Sequence, residues 1–171
     1  MRHTTGQRGF SLIELLIVVT IIAIVASIAV PNLLASRRAA NEGSAIASLR
    51  VLHSCNSGYQ VTNGGGEYAP DFAALFNANL IDGQLATGQK SGYNFAINRT
   101  LATSASLPTF WITGNPTQTS GVLQSGTRRF GLTQAGVMYF DAAQGAPLGV
   151  ALTTTDMSGT GLNGARVLGN N

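Results

Sequence analysis

The sequence is poor in the residue types from which catalytic and metal sites are built. It has one cysteine and two histidines among 171 residues, so it cannot form an internal disulfide and has no Cys/His cluster for zinc. His3 and His53 do not build a plausible catalytic triad, and the acidic residues are scattered without a calcium-loop spacing. We therefore find no catalytic site and expect no enzymatic activity, no cofactor and no bound metal.

Charged residues are also scarce, at 10% of the chain. The formal net charge is +3, but Arg2 and Arg8 lie at the very start, and the rest of the chain has eight basic residues against seven acidic ones. Such a balance is weak evidence for a nucleic-acid partner, and so is the pair Arg128 and Arg129 without a wider basic stripe. A polar, nearly neutral surface of this kind suits an extracellular protein.

One long apolar run dominates the N-terminal part. From Phe10 to Val30 there are 21 residues with a single charged side chain, Glu14. As a helix, at about 1.5 Å per residue, this run is about 31 Å long, the thickness of a bilayer core. A carboxylate near the middle of a spanning helix costs about 2.5–3.5 kcal/mol. Glu14 lies nearer the end, so it either reaches the membrane interface or is a fixed partner inside an assembly.

The stretch GFSLIE that starts at Gly9, with a basic residue before it and the apolar run after it, resembles the N-terminus of type IV prepilins and the related type II secretion pseudopilins. The resemblance implies that residues 1–9 are a leader and that prepilin peptidase/methyltransferase cuts between Gly9 and Phe10 and then methylates Phe10. It also implies that Glu14 pairs with the N-terminal amine of a neighbouring subunit during filament assembly. The physics agrees, because glycine leaves the backbone open to a peptidase and a buried glutamate needs a cation.

The same resemblance implies partners and a location. The partners are the prepilin peptidase/methyltransferase, an inner-membrane assembly platform, other copies of the chain or related pilins in a helical filament, and membrane lipid before assembly. The location is the bacterial inner membrane, crossed once, and then an extracellular pilus filament. Many pilins staple a C-terminal loop with a cysteine pair, which this chain lacks. Its C-terminal region must then be held by packing or by neighbouring subunits.

A secretory signal peptide is the competing interpretation of the N-terminus. Residues 27–29 (SIA) form a weak small-x-small cleavage site, and a cut after Ala29 would release an exported binding protein or enzyme that begins at Val30. Glu14 inside the apolar region and the helix-like continuation beyond it argue against this interpretation.

The apolar run leads into a longer helix. Pro31 predicts a kink or a local break in that helix, with a helix terminus as the alternative. From residue 32 to residue 60 the pattern is amphipathic, with an apolar stripe fit to pack on a sheet: Ile46, Leu49, Leu52, Cys55 and Tyr59. We predict one helix over residues 10–60, about 75 Å long, whose first half needs lipid or other helices around it.

We predict structural rather than catalytic or metal-binding roles for the cysteine, the histidine and the charged residues of the amphipathic half. Cys55 lies on the apolar stripe and is predicted to be a buried, unreactive thiol. His53 flanks the stripe without a partner histidine, so a metal role is not expected. Arg37, Arg38 and Glu42 are predicted to form a solvated face, which in a filament could bridge subunits.

The rest of the chain predicts a small antiparallel sheet. The glycine-rich segment 63–66 ends the helix, and a short helix capped by Asp71 is expected at 71–78. Apolar and polar residues alternate, as in strands with one apolar face, in four runs: 92–98, 109–113, 129–133 and 137–141. The last two runs are typical of a hairpin. We predict that Trp111 and the other strand aromatics belong to the core.

Together these elements predict an α+β, pilin-like fold, in which a long N-terminal helix, its first half transmembrane, packs by its second half on a three- to four-stranded antiparallel sheet. The expected function is that of a structural subunit of a type IV pilus, with a type II secretion pseudopilin as the close alternative. The absence of an obvious calcium loop and the fairly large polar head favour the pilus. The predicted segments are the leader 1–9, the transmembrane or filament-core helix 10–31, the amphipathic half 32–62 and the globular head 63–171, itself divided into a connection 63–91, a sheet 92–141 and a loop-rich tail 142–171.

Overall fold

A computed structural model describes residues 10–141 and 166–168. The chain divides into two compact units, whose described parts we call the N-terminal unit (residues 10–36) and the head unit (residues 37–141 and 166–168). The leader and almost all of the predicted tail lie outside the described residues. The cleavage at Gly9, the segment boundaries and the loop-rich tail therefore stay predictions.

The first element is a single long helix, α1 (Leu12–Thr62). Its helical structure runs through Pro31 without interruption, so the predicted local break is not seen, and a kink at this residue stays a prediction. A proline removes one backbone hydrogen bond, which can bend a helix without ending it.

The glycine-rich segment ends α1, as the sequence predicts. The Gly64 N–H donates to the Tyr59 carbonyl at 2.7 Å, and the Gly66 N–H donates to the Gln60 carbonyl at 3.0 Å. Gly65 has a φ of 58°, in the left-handed region that glycine adopts without a steric penalty. The Tyr59 and Gln60 carbonyls near the end of the helix thus accept hydrogen bonds while the chain turns away.

Two short helices follow, α2 (Phe72–Asn77) and α3 (Gly83–Ala86). Asp71 caps α2 by accepting a hydrogen bond from the Ala74 N–H at 2.8 Å, which confirms the predicted cap. Asp82 caps α3 in the same way through the Leu85 N–H at 2.7 Å. At four residues, α3 is too short for its periodicity to be recognised in the sequence.

The sheet is antiparallel throughout and its strands lie in chain order: β1 (Gln89–Lys90), β2 (Tyr93–Thr100), β3 (Thr109–Pro116), β4 (Arg129–Thr133), β5 (Met138–Asp141) and β6 (Arg166–Val167). The predicted α+β class is confirmed. The sheet is wider than the three or four strands expected, because β1 and β6 have two residues each and give no alternation signal. The predicted hairpin is confirmed as β4–β5, with Leu132 opposite Met138 and Gly136 in the turn at a φ of 74°.

The core of the head unit lies between α1 and one face of the sheet. Leu49 and Leu52 of the predicted stripe are fully buried, and the other stripe residues pack partly buried against them. The sheet contributes fully or almost fully buried side chains: Tyr93, Phe110, Ile112, Phe130 and Leu132.

Trp111 is not part of this core, so that prediction was wrong. It is half-buried and does not belong to the cluster that packs on α1. Successive side chains of a strand point to opposite faces, and Phe110 and Ile112 occupy the face toward α1. Trp111 therefore lies on the other face of the sheet.

Candidate assembly site

The N-terminal unit presents an apolar surface on all sides. Every large apolar side chain from Leu12 to Val30 is at least 44% exposed, and Phe10 is 75% exposed. By length and composition α1 is able to cross a membrane, and none of the residues in its most apolar window is buried. Apolar surface of this extent does not stay in water, so lipid or other protein must cover it.

Glu14 lies in the first turn of α1, close to the start of this apolar surface. The Ser11 carbonyl accepts hydrogen bonds from the N–H groups of Glu14 and Leu15, at 3.1 and 3.2 Å, so the helix begins immediately before the carboxylate. A negative charge is favourable at a helix N-terminus. The side chain is exposed and has no ion-pair partner among residues 10–141 and 166–168. A cation from outside the described chain can therefore reach it.

Polar hydroxyls of the same helix are already satisfied. The Thr20 hydroxyl donates to the Leu16 carbonyl at 2.8 Å, and the Ser27 hydroxyl donates to the Ile24 carbonyl at 2.7 Å. Such bonds to the preceding turn let these residues enter an apolar environment at little cost. Within residues 10–30 the Glu14 carboxylate is the charged group that still needs a partner when the helix is covered.

Glu42 is buried in the head unit, which contradicts its predicted place on a solvated face. It is 5% exposed, and its Oε1 accepts hydrogen bonds from the Thr127 N–H at 2.8 Å and the Thr127 hydroxyl at 2.7 Å. Its Oε2 accepts from Arg128 Nε at 2.8 Å and pairs with Arg128 Nη2 at 2.8 Å. We call these contacts the Glu42 clamp, because they fasten the β3–β4 loop (residues 117–128) to α1.

Burial and the clamp contacts together determine the charge states of Glu42 and of the neighbouring Tyr93. Burial by itself raises the pKa of Glu42, but the hydrogen bonds from Thr127 and Arg128 and the charge of Arg128 outweigh it, so the pKa lies below its ordinary value. Burial, and after it the nearby Glu42 charge, raises the pKa of Tyr93. Tyr93 therefore stays protonated, and its hydroxyl donates a hydrogen bond to the Arg128 carbonyl oxygen at 2.8 Å.

Further contacts fix the same loop on α1. Arg38 Nη1 donates to Gln124 Oε1 at 2.7 Å, and Asn41 Nδ2 donates to the Ser125 carbonyl at 2.9 Å. Gly126 fits only as glycine, because a Cβ there would lie 2.1 Å from the Tyr93 hydroxyl oxygen. Arg38, predicted to be solvated, thus takes part in holding the loop.

Arg128 has a structural position rather than a nucleic-acid-facing one. Its guanidinium binds Glu42 and lies over the Phe130 ring, 5.6 Å from the ring centroid. The positive charge of Arg128 is therefore paired with Glu42 within the head unit.

The remaining candidate side chains of α1 also make structural contacts. His53 Nε2 is 3.0 Å from the Gln134 carbonyl oxygen, and its ring packs 5.3 Å from that of Phe110. Cys55 is half-buried, donates to the Leu80 carbonyl at 2.9 Å and has its pKa raised by burial. A raised pKa keeps the thiol protonated and poorly nucleophilic. In the part of the chain that the structure describes, no cluster of three or more His, Cys, Asp or Glu residues could hold a metal ion.

A long helix with an exposed apolar first half and a head built on an antiparallel sheet defines a pilin-like architecture. Residues 4–30 match the family model described as the prokaryotic N-terminal methylation motif. The chain thus carries a prepilin-type N-terminus and is homologous to type IV pilins and type II secretion pseudopilins.

Two kinds of curated relatives carry this homology. The type IV wide pilus major component PilA4 of Thermus thermophilus is 44% identical over 75 residues, which cover 44% of this chain and 56% of the relative. The type II secretion system core protein G of Escherichia coli is 33% identical over 100 residues, 54% of this chain and 65% of the relative. The chain therefore spans between about half and two thirds of the length of these relatives. No solved structure matches the chain significantly.

Proposed function

We propose that the chain is a structural subunit of a type IV pilus filament and not an enzyme. One observation carries the proposal: the methylation motif at residues 4–30 includes the first turns of a helix whose apolar surface the described residues leave exposed. The homology to a pilus component agrees with it. A filament of many copies supplies the cover that one copy lacks.

The proposed maturation begins at the N-terminus. Prepilin peptidase/methyltransferase cuts between Gly9 and Phe10 and methylates the new N-terminal Phe10. The cut removes two arginines of the leader and leaves an α-amine a few residues before Glu14. That amine is a compact cation, and it brings no basic side chain into the apolar run.

Before assembly, the first half of α1, up to residue 31, crosses the inner membrane, and afterwards it packs among neighbouring helices of the filament. Since lipid covers apolar side chains as well as protein does, moving the helix out of lipid gains little hydrophobic free energy. Packing and polar pairing must then favour the filament. The pairing of Glu14 with the N-terminal amine of a neighbouring copy supplies a strong attraction in a medium of low dielectric constant and fixes the axial register.

A type II secretion pseudopilin is the second candidate. The matched segment with core protein G covers 54% of this chain, against 44% for the pilus component, which is the observation that favours it. Both candidates share the same N-terminal processing. They differ in whether the filament extends from the cell surface, as a pilus does, or stays with the cell, as a pseudopilus does.

Shearing of intact cells separates the candidates. Cells that lack the gene are complemented with the wild-type chain, the surface is sheared, and sheared and cell fractions are probed for the chain and viewed by electron microscopy. A pilus subunit is abundant in the sheared fraction as long filaments that disappear without the gene. A processed chain that stays with the cells supports the pseudopilin, and an unprocessed chain in every fraction overturns both.

A further inference from the structure

The β3–β4 loop has an apolar turn at its tip. The Gln124 N–H donates to the Gly121 carbonyl at 3.2 Å, so Val122 and Leu123 occupy the two central positions of a turn, which we call the apolar turn (residues 121–124). Small and polar residues are favoured at such positions, yet these two large apolar side chains are 73% and 77% exposed. Neither belongs to the core of the head unit, so the turn offers its apolar surface to something outside that unit.

The base of the loop is held by hydrogen bonds. The Ser125 N–H donates to the Gln118 carbonyl at 3.0 Å and closes the loop below the apolar turn. The Glu42 clamp and the bond from Asn41 Nδ2 to the Ser125 carbonyl fix this base on α1. The apolar turn therefore projects from a supported loop, and its two side chains keep their exposed position without a partner.

Positive charge lies beside the apolar turn. Arg38 Nη1 donates to Gln124 Oε1 at 2.7 Å, so its guanidinium contacts the last residue of the turn. Because Gln124 is neutral, Arg38 keeps its full charge. Arg37, the preceding residue, is exposed and has no ion-pair or hydrogen-bond partner among residues 10–141 and 166–168. Both cations are therefore able to bind an anion from outside the head unit.

The charge of this surface is positive in sum. Residues 37–44 of α1 and the β3–β4 loop contain three arginines and one acidic residue, Glu42, which is paired with Arg128. An excess of two positive charges remains, next to two exposed apolar side chains. This combination is typical of surfaces that bind an anionic bilayer, because lipid phosphates attract the cations while the apolar side chains enter the boundary between headgroups and acyl chains.

The chain itself keeps this surface near a membrane. Val30, the last residue of the apolar run, precedes Arg37 by seven residues, which can extend over at most about 25 Å. In the membrane stage proposed above, the apolar run lies in the bilayer, so Arg37 stays within that distance of it. Such a tether raises the effective concentration of lipid at the head unit, and a small surface is then sufficient for binding.

We propose that the apolar turn, together with Arg37 and Arg38, docks the head unit on anionic phospholipids before the chain enters a filament. Val122 and Leu123 enter the boundary between headgroups and acyl chains, and the two guanidinium groups bind lipid phosphates. The proposal rests on the proposed membrane stage and names the head surface and the kind of lipid that this stage uses.

Tryptophan fluorescence of the full-length chain tests this docking. In a Trp111→Phe background, Leu123→Trp is reconstituted into vesicles of brominated phosphatidylcholine and phosphatidylglycerol in equal parts, because bromine on an acyl chain quenches a tryptophan that touches it. Leu107→Trp is the matched control, since Leu107 is 82% exposed but lies at the other end of β3, a strand of eight residues, about 26 Å long. We expect quenching at position 123 and none at position 107. Val122→Trp is a second probe of the turn and should be quenched as well.

Removal of charge should weaken the docking. Arg37→Gln is expected to lower the ratio of docked to free head units about fivefold, which is the contribution of one basic residue near an anionic surface. Arg50→Gln, which removes an exposed arginine further along α1, should leave the quenching unchanged. Vesicles of brominated phosphatidylcholine alone should also quench position 123 less.

Flotation of the vesicles separates this docking from the membrane stage itself. Chains that float with the vesicles but are quenched equally at positions 107 and 123, or at neither probe of the turn, would overturn the docking and leave the proposed function intact. A blue-shifted emission at position 123 without quenching by bromine would also overturn it, since protein such as a second copy would then cover the turn. Quenching that ignores both Arg37→Gln and the lipid charge would contradict the role of the arginines. If the wild-type chain does not float, the proposed membrane stage fails and the docking fails with it.

Discussion

Glu14 is the residue on which the proposed assembly depends most directly. It is the one charged side chain between Phe10 and Val30, and it is exposed at the start of α1. A carboxylate that is covered by lipid or protein without a cation is costly, whereas the same group paired with an amine in an apolar medium is held strongly. From this contrast we expect Glu14 to set the register between neighbouring copies in the proposed filament.

Glu14→Ala is expected to leave processing and membrane insertion intact and to lower the yield of sheared filaments about tenfold or more, because breaking a buried ion pair costs about 3–5 kcal/mol. The measurement is the ratio of sheared to cell-bound chain by quantitative immunoblot, in cells with no unmodified copy. Thr20→Val is the matched control, because the Thr20 hydroxyl is already satisfied inside the helix. Wild-type filament yield in the Glu14 variant would rule out the pairing.

Glu42 decides how firmly the β3–β4 loop is attached to the head unit. Glu42→Ala removes a carboxylate that accepts bonds from Thr127 and Arg128, and it is expected to lower the free energy of unfolding by about 2–3 kcal/mol. Chemical denaturation of a fragment of residues 32–171 measures this loss. Arg37→Ala, an exposed change in the same stretch of α1, should stay within about 0.5 kcal/mol of wild type. Equal stability of the two variants would show that the clamp contributes nothing.

The same carboxylate makes stability depend on pH. The pKa of Glu42 in the folded chain lies below its ordinary value of 4.5, so its stabilising contribution is complete above that pH and is lost as the pH falls through the lowered pKa. Thermal unfolding of the fragment should show the melting temperature dropping in this acidic window. Glu42→Gln should flatten the drop, and an unchanged slope in that variant would assign the pH dependence to other groups.

At the scale of single elements, α2 depends on its cap. Helices of six residues have little stability of their own, and the Asp71 carboxylate satisfies one of the free N–H groups. Asp71→Ala is expected to lower the free energy of unfolding by about 1 kcal/mol, while Asp71→Ser, which can still cap, should cost less. Denaturation midpoints of the two variants test this, and equal losses would indicate that charge, not capping, is what Asp71 supplies.

Much of the architecture follows from local patterns in the sequence. The apolar stripe that includes Leu49 and Leu52, the glycine-rich helix end and the four longer strands were all predictable, because each contains its own periodic or turn signal. The narrow edge strands were not, since two residues carry no period. Trp111 was misplaced because alternation says that neighbours lie on opposite faces but does not say which face a helix covers.

The candidate assembly site also has parts that the sequence could indicate and parts that only the folded chain reveals. Gly9, Phe10 and Glu14 could be proposed from the sequence because they form a contiguous motif with the apolar run, and their roles stay predictions. The Glu42 clamp could not be found, because Arg128 lies 86 residues further along the chain and only the folded head brings the two together. Local spacing, with Arg38 four residues before Glu42, instead suggested an ordinary solvated pair.

At the scale of the whole molecule, the two units differ in how far their apolar side chains are buried. The head unit has its own core between α1 and the sheet and is held by contacts such as the Glu42 clamp. The described part of the N-terminal unit, residues 10–36, buries almost nothing, so its apolar side chains need lipid or other protein around them. A chain of this kind is incomplete alone, which is the physical reason to expect a membrane stage followed by a filament.

The most direct test is intact-mass and N-terminal peptide spectrometry on the chain sheared from the cell surface. We expect a chain that begins at Phe10, carries one added methyl group on its N-terminal amine and is abundant in that fraction. A chain that begins at Val30, released after Ala29, would contradict the filament and direct attention to the head unit as a free protein. A surface chain that still begins at Met1 would contradict the proposed cleavage after Gly9.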